Sequence, residues 1–211
     1  MNQTLRLLGR ATSINVRKVL WTLDEAGLAY RHEAWGEGEL SLRSPEFLAL
    51  NPLGMIPVLV DGDAVLRESN TLCRYVAARA GRQDLLPTEA LARARVEQWM
   101  DWQATELNNA WRYAFMGLVR KSPAHQDAVL LAQGLQGWNA QMDVLEAQLQ
   151  TTGAYAAGDA FTLADVVLGL SLERWRQTPQ AARPSFPALE AYHARLCERP
   201  AFRRHGANGQ P

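Results

Sequence analysis

A change of pattern near residue 81 constrains this chain more than any other feature of its sequence. Before it, short strand signals alternate with helical ones. After it, only helical periodicity is found. Leu5 to Leu8 is a brief apolar run suited to a buried strand. Val16, Val19, Leu20 and Leu23 then recur on one helical face, and Gly27 stands where a helix commonly ends. A weak strand follows around Tyr30 to Trp35. Ser44-Pro45-Glu46 opens a short helix, with serine as cap and proline in the first turn. Pro57 to Val60 and Ala64 to Leu66 flank Asp61-Gly62-Asp63, which predicts a hairpin. A helix from Ser69 should turn Leu72, Tyr75 and Val76 inward. The order is βαβαββα, a small mixed sheet with helices packed on it.

Residues 81–88 read as a linker, giving an α/β domain over 1–80 and an all-helical domain over 89–211. Within the latter, 89–120 and 123–150 read as two long helices, the first open to a kink. Thr162-Leu163-Ala164-Asp165 has the form of a capping box, Asp replacing the usual Glu, ahead of the apolar run from Val166 to Leu172. A last helix is predicted over 188–197.

Composition narrows the function. The 211 residues are 47% hydrophobic and 21% charged, enough for a substantial core and unlike a disordered chain. Net charge is zero with no Lys/Arg run, so no nucleic-acid or anionic-membrane partner is expected. Cys73 and Cys197 form no CxxC pair, and His32, His125, His193 and His205 are scattered. Neither a disulfide framework nor a structural metal site is expected. The first ten residues lack the apolar centre of a signal peptide, and no apolar stretch reaches the roughly 18 residues of a membrane span. A cytoplasmic location follows as the expectation.

Three short segments carry the chemistry. Thr12-Ser13-Ile14-Asn15 joins the first strand to the first helix; its hydroxyls and amide suit helix capping, and equally suit an anion held at a helix N-terminus. Met55-Ile56-Pro57 opens a strand, either as an edge proline or as a cis proline exposing the Ile56 backbone to an extended peptide. Glu68-Ser69-Asn70 precedes a helix; it is a cap, or a pair of groups able to meet an α-carboxylate and an α-ammonium.

Order and spacing join these pieces. Asn51-Pro52-Leu53-Gly54-Met55-Ile56-Pro57-Val58-Leu59, then Asp61-Gly62, then Leu66-Arg67-Glu68-Ser69-Asn70, resembles the signature of cytosolic glutathione transferases, and Gly158-Asp159-Ala160-Phe161-Thr162-Leu163-Ala164-Asp165 resembles that family's helical-domain cap. The resemblance implies a thioredoxin-like domain followed by an all-α domain, glutathione as co-substrate without a metal, and a homodimer. It implies that Pro57 is cis, that Ile56 pairs with the cysteinyl backbone of glutathione, and that Glu68 and Ser69 hold the γ-glutamyl end. Arg43, or another residue of the 38–44 loop, would meet the glycine carboxylate.

No tyrosine precedes Tyr30 and no cysteine precedes Cys73, so the tyrosine and cysteine classes do not fit. The resemblance is to the serine-type branch, theta- and zeta-like. Ser13 takes the place of the catalytic serine, with Asn15 and then Thr12 as alternatives. The electrophile's pocket is expected between the domains, with Trp111, Arg112, Phe115, Arg174 and Trp175 as candidate lining. The aromatic residues equally suit helix packing, whereas Arg112 fits recognition of an anionic group. The expected activity is attack by activated glutathione on a small, largely apolar electrophile, in detoxification. A glutathione-dependent isomerase and a non-catalytic binding module are the alternatives.

Overall fold

The computed structural model describes residues 4–211. The chain divides into two compact units, Met1–Leu86 and Pro87–Pro211.

The first unit is built on a four-stranded sheet in the order β2-β1-β3-β4. Strand β1 (Leu5–Leu8) lies parallel to β2 (Tyr30–Glu33) and antiparallel to β3 (Val58–Asp61), which pairs with β4 (Ala64–Arg67). Asp61 opposes Ala64, so Gly62 and Asp63 form the two-residue hairpin loop. Leu5, Leu7 and Leu8 are buried, and β3 buries Val58, Leu59 and Val60. Helix α1 (Ile14–Ala26) turns Val16, Val19, Leu20 and Leu23 inward and packs on α3 (Ser69–Arg79). The short α2 (Pro45–Leu50) is capped as expected, the Phe47 N–H donating to Ser44 Oγ at 3.3 Å. Phe47 joins Leu8, Val58 and Val60 in a core cluster, with Trp35, Leu42, Leu50 and Ile56 against it. In α3, Leu72 and Val76 enter the core. Tyr75 does not: its hydroxyl is polar and donates to Asp61 Oδ2 at 2.6 Å, which keeps the ring half-buried.

In the second unit, α4 (Ala90–Trp102) and α5 (Asn108–Leu118) are joined by a π-helical turn at Gln103–Leu107, which interrupts the helix where a kink is open to it. A 3-10 turn at Pro123–His125 precedes α6 (Ala128–Thr152). Helix α7 (Leu163–Gln177) is buried on every side from Leu163 to Trp175, as suits a helix at the centre of a bundle. It is followed by α8 (Pro187–Cys197) and α9 (Pro200–His205). The last has six residues, too few to register as periodicity in the sequence. Glu146 of α6 caps α8, accepting from the N–H groups of Ala188 at 3.0 Å and Leu189 at 2.8 Å.

Candidate functional site

The first unit gathers the candidates by bringing two helix starts and one strand start to the end of β1. Gly9 follows that strand at φ +144°, and a Cβ there would fall 2.6 Å from Val16 Cγ2 and 2.9 Å from Ile56 Cβ. Only glycine lets the chain pass so close to Ile56 and still enter α1.

Ser13 is the N-cap residue of α1, at φ −82° and ψ 123°. Its N–H donates to Arg10 O at 3.1 Å and its carbonyl accepts from Arg17 at 3.0 Å. Its hydroxyl makes no capping bond. The capping role that a serine here suggests is therefore not taken up, and a partly exposed donor remains at a helix N-terminus. Thr12 sits in the turn before it, also partly exposed. Asn15, on the first turn, accepts a hydrogen bond from Ser69 Oγ at 3.3 Å. One turn further, Lys18 Nζ donates to Asn70 Oδ1 at 3.1 Å, both side chains buried. The starts of α1 and α3 are thus tied by two pairs of side chains.

The Ile56–Pro57 peptide is cis. Pro57 is buried and Ile56 half-buried. Among the described residues, the N–H and C=O of Ile56 take no hydrogen bond, which leaves them open to an extended ligand. The preceding turn is held by the buried Asn51, whose Nδ2 donates to Met55 O at 2.8 Å and whose Oδ1 accepts from Leu53 N at 3.2 Å and Arg67 Nη1 at 3.3 Å.

Glu68, at the N-cap position of α3, has φ 68° and ψ 108°, with its side chain exposed and making no capping bond. A non-glycine residue there costs about 1–3 kcal/mol and persists because its surroundings impose it. Arg43 is exposed, with its guanidinium over the Gly54 turn: a Cβ on Gly54 would fall 2.8 Å from Arg43 Nη1.

The candidates of the helical unit are placed differently. Trp111, Phe115 and Trp175 are buried. The Arg174 guanidinium carbon lies 4.6 Å from the centre of the Trp111 ring and 4.1 Å from that of Phe115, so this arginine is buried in an aromatic stack. Trp175 Nε1 donates to Asn139 Oδ1 at 2.7 Å. Arg112 is exposed. Other reactive side chains are occupied elsewhere: burial pushes the Cys73 thiol up to about 11, which removes it as a nucleophile, and His125 Nδ1 pairs with Ser122 Oγ at 2.9 Å. Among the described residues no group of three His, Cys, Asp or Glu side chains is placed to hold a metal ion, and no helix is long and apolar enough to cross a membrane.

Sequence reasoning missed Arg10. It stands between Gly9 and the α1 start, and its Nη1 donates to Gly36 O at 3.1 Å. The one signal was a lone cation in the strand-to-helix turn.

Comparison with known proteins points to one family across both units. Residues 7–84 match the family model for the glutathione S-transferase N-terminal domain, and residues 108–200 that for the C-terminal domain. The chain is 35% identical over 202 residues to glutathione S-transferase GstB of Escherichia coli K12, covering 95% of this chain and 96% of that one. It is 35% identical over 206 residues to glutathione S-transferase 3 of Zea mays, covering 95% and 92%. The crystal structure of a theta class glutathione S-transferase from Xanthomonas axonopodis pv. citri, with glutathione bound, superposes with a TM-score of 0.88 at 36% identity over 97% of each chain.

Proposed function

The chain belongs to the glutathione S-transferase family, and from that premise we propose that Ser13 holds the thiol of bound glutathione as a thiolate for attack on a small, largely apolar electrophile. The observation that carries this reading is the Ser13 hydroxyl, a donor at the start of α1 that caps nothing. In the reaction, the sulfur bonds to the electrophilic carbon, the leaving group departs with its electron pair, and the thiol proton passes to solvent.

The chain's own residues fit such a ligand. The open Ile56 backbone beside cis Pro57 suits strand-like pairing with the cysteinyl residue. Glu68 and the first turn of α3 at Ser69 suit the ammonium and carboxylate of the γ-glutamyl end. Arg43 suits the carboxylate of the glycine end. A free thiol titrates near 8.5, and lowering that by about two units requires roughly 2.7 kcal/mol of preference for the thiolate. One hydrogen bond to a charged group contributes about 1.5–3 kcal/mol and a helix N-terminus about 0.3–1 kcal/mol. Ser13 and the α1 start are sufficient together. Asn15 is already engaged with Ser69, which ranks it behind Ser13, with Thr12 third.

On the electrophile side, Arg112, exposed on α5, is the group able to meet an anionic substituent; Trp111, Phe115 and Trp175 are buried, which favours the packing role of the two their sequence allows. The same reading makes the protein a cytosolic homodimer acting in detoxification. Retention on immobilised glutathione, measured with turnover of an activated aryl halide, tests the assignment. Wild type should be retained and turn over, and Ser13→Ala should be retained while turning over at least about tenfold more slowly. Retention without turnover in wild type would make the protein a binding module and overturn the proposal.

A further inference from the structure

We propose that Arg10 is a positioning residue for the glycine end of glutathione: it fixes the loop that presents Arg43. This rests on the reading above, in which Arg43 meets that carboxylate. The loop runs from Gly36 to Ser44 and has neither strand nor helix to hold it. Three contacts hold it instead. Leu42 packs against the Leu8, Phe47, Val58 and Val60 cluster. The Leu42–Arg43 segment crosses the Gly54 turn so closely that a Cβ on Gly54 would fall 3.2 Å from Leu42 O and 2.8 Å from Arg43 Nη1. At the loop's near end, Arg10 Nη1 donates to Gly36 O at 3.1 Å.

The Gly36 contact is shaped for Arg10. Gly36 has φ +89°, and a Cβ there would fall 3.1 Å from Arg10 Nη1 and 3.2 Å from Leu42 Cδ1. Glycine thus lets the guanidinium and the Leu42 side chain close on the same backbone atom from two directions. The Gly36 N–H in turn donates to Leu40 O at 2.6 Å, so fixing Gly36 also holds the loop at Leu40. Among the described residues the Arg10 side chain has no other hydrogen-bond partner, so its structural contact is spent on this loop. At the other end of the same residue, Arg10 O receives the Ser13 N–H at 3.1 Å. One residue therefore links the start of α1, where the thiol is held, to the loop that carries Arg43. Through a rigid link of this kind, a residue that does not touch the ligand sets the distance between two of its contacts.

Calorimetric titration of the full chain with glutathione and with γ-glutamylcysteine, which lacks the glycine residue, separates this role from general stability. Wild type should bind glutathione about tenfold more tightly than γ-glutamylcysteine. Arg10→Ala should reduce that ratio to about two while leaving the affinity for γ-glutamylcysteine unchanged, and Arg10→Lys, which keeps one donor, should recover part of it. An unchanged ratio in Arg10→Ala, or equal weakening of both ligands, would overturn the inference, the second because it marks a merely structural role. If wild type bound neither peptide, the proposed function itself would fail.

Discussion

Helices α7 and α1 both have a hydroxyl residue at the N-cap, and the two are used in opposite ways. At the start of α7 the capping side chains are fully engaged. Asp165 Oδ2 accepts from the Thr162 N–H at 2.8 Å and the Thr162 hydroxyl at 3.2 Å, while Oδ1 accepts from the Ala156 N–H and the Tyr192 hydroxyl, each at 2.9 Å. All of this is buried; burial pushes the Asp165 carboxyl up and the four donors oppose it. At the start of α1, Ser13 has the same cap position, yet its hydroxyl makes no capping bond and finds no hydrogen-bond partner among the described residues, and the residue is partly exposed. A saturated helix start is a fastener. One left with a donor to spare is a place for an anion.

Removing each group should separate the two uses. Asp165→Ala leaves four buried donors without that acceptor, and at about 1–3 kcal/mol apiece the loss of unfolding free energy should reach at least about 4 kcal/mol. Urea denaturation measures it; a loss below about 1 kcal/mol would erase the distinction. Ser13→Ala should do the reverse. Conjugation should slow by about 10- to 100-fold, with unfolding free energy within about 0.5 kcal/mol of wild type. A stability loss of about 1 kcal/mol with unchanged turnover would make Ser13 an ordinary cap.

Glu68 lies between these extremes, because its backbone is strained where its side chain is exposed. Glu68→Gly should raise stability by about 1 kcal/mol, since glycine adopts φ 68° without penalty, and should still weaken glutathione binding. Tighter binding in this variant would remove Glu68 from the ligand site.

The smallest effect concerns a fastener away from the ligand. Arg79 Nε at 2.5 Å, the first cause, and the Tyr75 hydroxyl at 2.6 Å hold the Asp61 carboxyl below its usual range. The stability this lends is present above the ordinary carboxylate value of about 3.9 and is lost as pH falls through that value towards the depressed native one. Asp61→Asn should therefore be less stable than wild type at neutral pH, with the gap closing in acid and turnover per folded molecule unchanged. A gap of constant size across pH would contradict the assignment.

What the sequence made legible was local. The Ser44 cap, the Asp61–Ala64 hairpin and the Thr162–Asp165 box each depend on residues within four positions, and each is found in the structure. The cis bond at Pro57 has no local signature and was reached only through the order of three motifs resembling a family. Contacts across the chain stayed hidden. Arg10 meets Gly36 across 26 positions, and Asn15 meets Ser69 across 54, so neither pairing leaves a periodic trace. The unused Ser13 hydroxyl was equally hidden, because sequence favours serine at a cap without telling whether the cap bond forms. The aromatic residues of α5 and α7 show the same limit: periodicity marks Trp111 and Phe115, but not the stacking of Arg174 on both, which joins two helices.

The central claim is that Ser13 spends its hydroxyl on a thiolate, and the ultraviolet absorbance of the thiolate of bound glutathione, followed against pH in wild type and Ser13→Ala, tests it most directly. The account predicts an inflection about two units below the free thiol value of about 8.5 in wild type, returning towards that value in the variant. An inflection that stays depressed in Ser13→Ala would move the role to Asn15 or Thr12, and a wild type titrating like free glutathione would contradict the account outright.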